Sequence, residues 1–146
     1  MHLPDVNVWL ALTLSGHVHH ATARNWLNGI RKSDSVHFCR ATQQGFLRLL
    51  TTSQVLAPYG NPPLSNNEAW AVYQRLLADG RITFTHEPAG VEATWQALAN
   101  RNTASPKLWM DAWLAAFALR SGLRMITTDR AFSQFPKLNA LILGAG

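Results

Sequence analysis

Residues 108–129 read LWMDAWLAAFALRSGLRMITTD, and this stretch decides the fold. Apolar side chains fill Leu108 to Leu119 at helical spacing, Ser121-Gly122 supplies the turn chemistry that ends a helix, and Arg124 to Thr127 follows as a short apolar strand. Ser105-Pro106, just upstream, fits a cap followed by a first-turn proline. Working outward, the same alternation continues in both directions. Leu138 to Leu143 is a last strand, Val91 to Ala99 a helix, and Arg81 to Thr85 a strand. Ser65-Asn66-Asn67-Glu68 forms a capping box that opens a helix through Trp70, Tyr73, Leu76 and Leu77, and Asp79-Gly80 stops it. Ala57 to Pro63 is a loop with three prolines and a glycine. Ala41 to Thr52 and His19 to Ile30 have helical period, Ser35 to Cys39 alternates like a strand, and Leu3 to Val6 is a first short strand after which Asn7 caps the apolar turn Val8 to Leu12. Alternating short strands and helices with no repeat predict an α/β fold: a three-layer sandwich in which a mainly parallel central sheet is flanked by helices, in a single domain over residues 1–146.

Composition narrows the chemistry. The 146 residues are 47% hydrophobic, enough for a real core, and only 14% charged against about a quarter in an average soluble protein, which excludes disordered and coiled-coil classes. Thirteen Lys and Arg against eight Asp and Glu give a net charge of +5, a balance that suits a polyanionic partner. The lone cysteine, Cys39, excludes an internal disulfide framework and a zinc site built on several thiolates, and reads as a small buried hydrophobe. No apolar run approaches the ~18 residues of a membrane span, and the first residues lack the pattern of a secretion signal, so a soluble cytoplasmic protein without membrane attachment is expected.

With acids scarce, their placement matters. In parallel sheets the polar residues at the carboxyl ends of strands gather in one crevice at the topological switch point. Asp5 ends the first strand, Asp129 follows the strand Arg124 to Thr127, and Asp111 sits early in the intervening helix, with Ala115 and Ala118 on its face to permit close packing. Three carboxylates in one crevice repel each other unless a hard cation such as Mg²⁺ or Mn²⁺ joins them, and such ions are held by a few carboxylates together with phosphate oxygens. From spacing alone the blander roles stay open: Asp5 as a strand-end cap, and Asp129 as an N-cap of the next turn.

At these residues the chain resembles the PIN-domain ribonucleases, specifically VapC-type toxins of toxin-antitoxin pairs. Three segments carry the resemblance: Leu3-Pro4-Asp5-Val6-Asn7-Val8, Asp111-Ala112-Trp113-Leu114-Ala115-Ala116-Phe117-Ala118 and Thr127-Thr128-Asp129-Arg130-Ala131-Phe132. It implies metal-dependent endonucleolytic cleavage of RNA, with Asp5, Asp111 and Asp129 as metal ligands, Mg²⁺ or Mn²⁺ as cofactor, and Asn7 and Thr127 orienting the carboxylates and their waters. A VapB-like antitoxin and a homodimeric assembly are also implied, with Trp9 or Trp113 offered to the subunit interface. The family's further glutamate, in the helix after the second strand, is matched here to Gln43, an amide in place of a charge. On that reading Gln43 belongs to the catalytic set, and a glutamate there is expected to tighten metal binding. Arg40 and Arg48 on the same helix are expected to contact RNA or antitoxin.

Two other readings compete. A PIN-like module that has lost catalysis would bind RNA or a protein only, but such a domain is expected to lose several of its carboxylates. A phosphatase on a doubly wound sheet would want an Asp-x-Asp or a phosphate-cradling loop, and neither occurs. His17, His19 and His20 crowd one loop without regular ligand spacing and are set aside as a metal site. Trp26, Trp70 and Trp95 are expected to pack. RNA choice is expected to depend on the proline-rich loop and the helix after it.

Overall fold

The computed structural model describes residues 1–144. Five strands, β1 (His2–Pro4), β2 (Val36–Phe38), β3 (Ile82–Phe84), β4 (Arg124–Thr127) and β5 (Ala140–Ile142), form one sheet in the order β3-β2-β1-β4-β5, and every neighbouring pair is parallel. Strands β1 to β3 build one way across the sheet, after which the chain crosses back to place β4 on the other side of β1. The strand order therefore reverses between β1 and β4, where an open parallel sheet forms its binding crevice.

Among the described residues seven α-helices cover the sheet: α1 (Val6–Thr13), α2 (His20–Asn28), α3 (Arg40–Leu50), α4 (Ser53–Leu56), α5 (Asn66–Leu77), α6 (Val91–Ala99) and α7 (Leu108–Ser121). The strand period of two splits the core into two layers. On one face Val36, Phe38 and Ile126 pack against Trp9 and Leu12 of α1, Leu27 of α2, Phe46 of α3 and Tyr73 of α5. On the other, Leu3, Cys39 and Met125 pack against Ala112, Ala115, Phe117 and Ala118 of α7. The small residues of α7 are fully buried, as the close approach to the sheet requires.

Several local expectations hold. Ser65 and Glu68 exchange the two hydrogen bonds of a capping box, and Gly122 ends α7 with φ of 66°, a left-handed conformation that suits glycine. Others change. Asp5, not Asn7, caps α1, and Asn7 lies one position inside the helix. No side chain caps α7; Ser105 and Pro106 form a turn in which the Ser105 carbonyl accepts the Leu108 N–H. The proline-rich segment begins as a 3₁₀ turn, Ala57–Tyr59, before becoming irregular. Trp9 cannot serve a subunit interface, because it is fully buried and stacked on Phe38 at 3.7 Å, whereas Trp70, expected to pack, is 46% exposed.

Candidate active site

The ends of β1 and β4 carry the same device. Asp5 leaves β1 and accepts the Val8 N–H (3.1 Å), starting α1; Asp129 follows β4 and accepts the Ala131 N–H (2.9 Å), starting a 3₁₀ turn at Arg130–Gln134. Thr127 links the two, its hydroxyl donating to Asp5 Oδ2 and accepting the Asp129 N–H (3.0 Å). Thr127 is fully buried, and its hydroxyl holds the Asp5 carboxylate while tying it to the backbone, not the carboxylate, of Asp129. Asp111, in the first turn of α7, completes a crevice of about 390 Å³ whose walls also include Asn7, Gly45, Arg48, Lys107 and Met110. All three aspartates therefore line one cavity at the switch point.

The electrostatics of the three differ. Burial pushes the Asp5 carboxyl up to about 6, against hydrogen bonds from Thr127, Val8 and the Asn7 backbone that favour its charged form. Asp111 is also raised by burial, with the Lys107 charge opposing. Asp129 is lowered, first by the Ala131 N–H and then by Lys107, whose Nζ lies 3.1 Å from Oδ2. Lys107 went unnoticed in the sequence, although its place four residues before Asp111 puts both on one helical face.

Among the described residues no three His, Cys, Asp or Glu side chains converge closely enough to ligate one ion as they stand. The donor set nonetheless fits a hard divalent cation. It offers carboxylate oxygens, one of them buried without a cationic partner, in a cavity with room for the waters that Mg²⁺ retains.

Helix α3 departs from expectation. Gln43 does not line the crevice; its Oε1 accepts from Arg40 Nη1 (2.5 Å), and it also favours the charged form of the Tyr73 phenol, which burial pushes up. The α3 residues that face the crevice are Gly45, Arg48 and Leu49, so this helix brings a cation rather than a carboxylate or its amide. Gly45 is constrained: a Cβ there would stand 2.8 Å from Val6 Cγ2, and its absence lets α3 close on α1. Arg48 joins the site, and Arg40 lies in the next groove along the helix. The histidine trio makes local contacts, His17 stacking on Tyr59 at 4.8 Å and His20 Nδ1 bonding to the Ala11 carbonyl.

Residues 3–138 match the profile of the PIN domain. The chain is 54% identical over 144 residues to ribonuclease VapC41 of Mycobacterium tuberculosis, covering 98% of this chain and 99% of that one. It is 32% identical over 134 residues to ribonuclease VapC44 of the same species, covering 90% and 87%. Among solved structures, VapBC2 from Rickettsia felis, bound to a DNA fragment from its promoter, superposes with a TM-score of 0.71 at 12% identity over 97% of this chain and 98% of that one. M. tuberculosis VapC20, described as a sarcin-ricin loop cleaving toxin, superposes at 0.64 with 20% identity over 93% and 95%. The structural likenesses bear on the fold, and the sequence match bears on the family: the chain belongs to the PIN-domain proteins, in their VapC branch.

Proposed function

We propose that residues 1–146 act as a single PIN domain, a cytoplasmic endoribonuclease toxin that hydrolyses RNA phosphodiester bonds with Mg²⁺ or Mn²⁺ and is restrained by a VapB-like antitoxin. The observation that carries this reading is the switch-point crevice, where three aspartates meet and the most buried of them has its charge uncompensated. Asp5, Asp111 and Asp129 would hold the cation, directly or through water. When bound, it supplies an acidified water and charge for the phosphorane-like transition state. The chain's own groups do the rest. Thr127 donates to Asp5 and receives the Asp129 N–H, so that the Asp5 carboxylate is preorganised against the strand end that carries Asp129. Arg48 and Lys107 on the crevice wall hold the phosphate that the aspartates alone would repel. The ribonuclease names of the relatives support RNA as substrate, and the VapBC2 assembly supports an antitoxin partner. Among the described residues no helix is long and apolar enough to cross a membrane. A homodimer is part of the proposal; Trp70 offers a large exposed apolar side chain for it, and Trp9 does not.

Purified protein freed of antitoxin and incubated with structured RNAs tests the reading. Cleavage is expected with Mg²⁺ or Mn²⁺, to cease with EDTA, and to fall more than roughly 100-fold in Asp5→Asn and Asp111→Asn, beyond what loss of an outer-sphere partner costs. Cleavage that survives EDTA, or both substitutions, sinks the metal site. Specific RNA binding without any cleavage would favour the non-catalytic module.

A further inference from the structure

A second cavity lies beside the crevice, between the same two helices. Along α3, Arg40, Ala41 and Gln44 face a groove of about 420 Å³, while Gly45, Arg48 and Leu49 face the acidic crevice. Positions 41, 44, 45 and 48 form one helical stripe, so the two cavities share a wall. The opposite wall is a matching stripe of α7: Met110 and Leu114 on the crevice, Trp113 and Phe117 on the groove. Its floor is the end of β3, where Phe84, paired with Phe38 of β2, leads to Thr85, His86 and Glu87. The groove thus lies on the same carboxyl rim as Asp5, two strands along, on the order of 10 Å away.

Its chemistry differs from the crevice. The Arg40 guanidinium carbon lies 4.6 Å over the Phe84 ring, and Gln43 Oε1 holds Nη1 at 2.5 Å. His86 meets Phe84 edge to face at 5.0 Å, and Trp113 tilts against the buried Phe117 at 5.3 Å, leaving the half-buried Trp113 ring and the exposed His86 ring beside a fixed cation. Flat rings combined with a tethered arginine suit a nucleobase and its phosphate. Glu87, the groove's one acid, repels phosphate but accepts hydrogen bonds from an exocyclic amino group, which assigns the edge of the base to Glu87 and the phosphate to Arg40.

We infer that this groove is a single-stranded RNA subsite, taking the nucleotide next to the scissile phosphate, with Trp113 as its stacking platform, Arg40 as its phosphate contact and Gln43 as the residue that positions Arg40. The inference rests on the ribonuclease reading of the adjoining crevice, yet its test does not depend on cleavage. The probe is a fluorescein-labelled single-stranded oligoribonucleotide of mixed sequence, titrated with the full chain in EDTA. Trp113→Leu, which keeps packing on Phe117 but removes the larger ring, is expected to weaken binding about 5- to 100-fold, and Trp113→Phe to restore most of it. Arg40→Met should reduce the slope of log affinity against log salt by about 0.7, the signature of one lost phosphate contact on a single strand. In cleavage assays Gln43→Leu should raise KM and leave kcat unchanged, whereas Gln43→Glu keeps an acceptor for Arg40 and behaves as wild type. Glu87→Gln is expected to shift base preference at the cut site.

Folded Trp113→Leu and Arg40→Met proteins that bind the probe with wild-type affinity and salt slope overturn the inference. So does normal RNA binding coupled to escape from antitoxin inhibition, which would give the groove to the protein partner. If the groove variants lose RNA while the aspartate variants still cleave, the subsite stands and the assignment of catalysis to the aspartates fails.

Discussion

Strands β1 and β4 end in the same construction and arrive at opposite electrostatic states. Each finishes in an aspartate that caps the next helical turn, and Thr127 touches both. Asp5 is 5% exposed with no cation against it, and burial raises its carboxyl to about 6; Asp129 keeps partial access to solvent, gains Lys107, and is lowered. The difference teaches that capping alone does not explain Asp5. A cap needs only an oxygen facing the Val8 N–H, which asparagine also supplies. A buried carboxylate at the switch point of the sheet is costly to folding, and on the proposed reading that cost would be recovered on binding a cation.

The largest expected effect follows from that cost. In metal-free protein the folded carboxyl of Asp5 titrates near 6 and the unfolded one near 3.8. Between these values the native state binds more protons than the unfolded state, so stability falls as pH rises from about 4 to about 6 and then levels. Asp111, raised by burial, adds in the same direction. Asp5→Asn keeps the cap and a partner for Thr127 without the charge. It should flatten this slope and be more stable than wild type at pH 7 by on the order of 2 kcal/mol, read by urea unfolding in EDTA. Saturating Mn²⁺ should narrow the gap by stabilising wild type alone. An unchanged pH slope in the variant would place the titration elsewhere. Asp129→Asn, by contrast, should not reproduce the stabilisation, because its carboxylate is already favoured in the folded state.

Lys107 marks a smaller difference between the two strand ends. Its ammonium stands on the Asp129 side of the crevice and reaches Asp111 only through its field. An entering divalent cation must displace or share that contact, so Lys107→Met should tighten Mn²⁺ binding roughly threefold, in keeping with the modest strength of exposed ion pairs. The same variant should raise KM for RNA, since the phosphate loses a cation. Calorimetric titration of metal alone separates these two consequences; weaker metal binding in the variant would show that Lys107 organises the carboxylates rather than competing for them.

Much of this site is legible in the sequence because parallel sheets impose a rule that needs no side-chain detail. Strand ends share a rim, and Asp5 and Asp129 sit at two of them, with Asp111 one helix earlier. The strand β4 and the helix α6 fall at the residues that period and turn chemistry predict. What periodicity cannot supply is the rotational phase of a helix against its neighbours when polar residues occupy several faces. In α3 that phase is set by Gly45, which admits the Val6 side chain and turns its neighbours Arg48 and Leu49 toward the crevice. A glycine inside a helical pattern was the available signal of close approach. Trp9 misleads for a related reason. In an all-apolar turn every position looks equally able to face outward, and only the stack on Phe38 shows that this one does not.

The smallest expected effect is a null, and it decides between the two regions of α3. Resemblance alone places Gln43 in the catalytic set, and on that placement Gln43→Glu restores a missing charge and tightens Mn²⁺. The fold places it about 200° around the helix from Gly45, at ~100° per residue, with its amide oxygen on Arg40. A glutamate there meets a guanidinium before any metal, so its charge is spent on a stronger hydrogen bond to Arg40. Metal affinity and kcat should therefore match wild type in Gln43→Glu. A several-fold gain in Mn²⁺ affinity by calorimetry would instead require α3 to rotate on cation binding, and would bring the Arg40 groove and the aspartate crevice under a single switch.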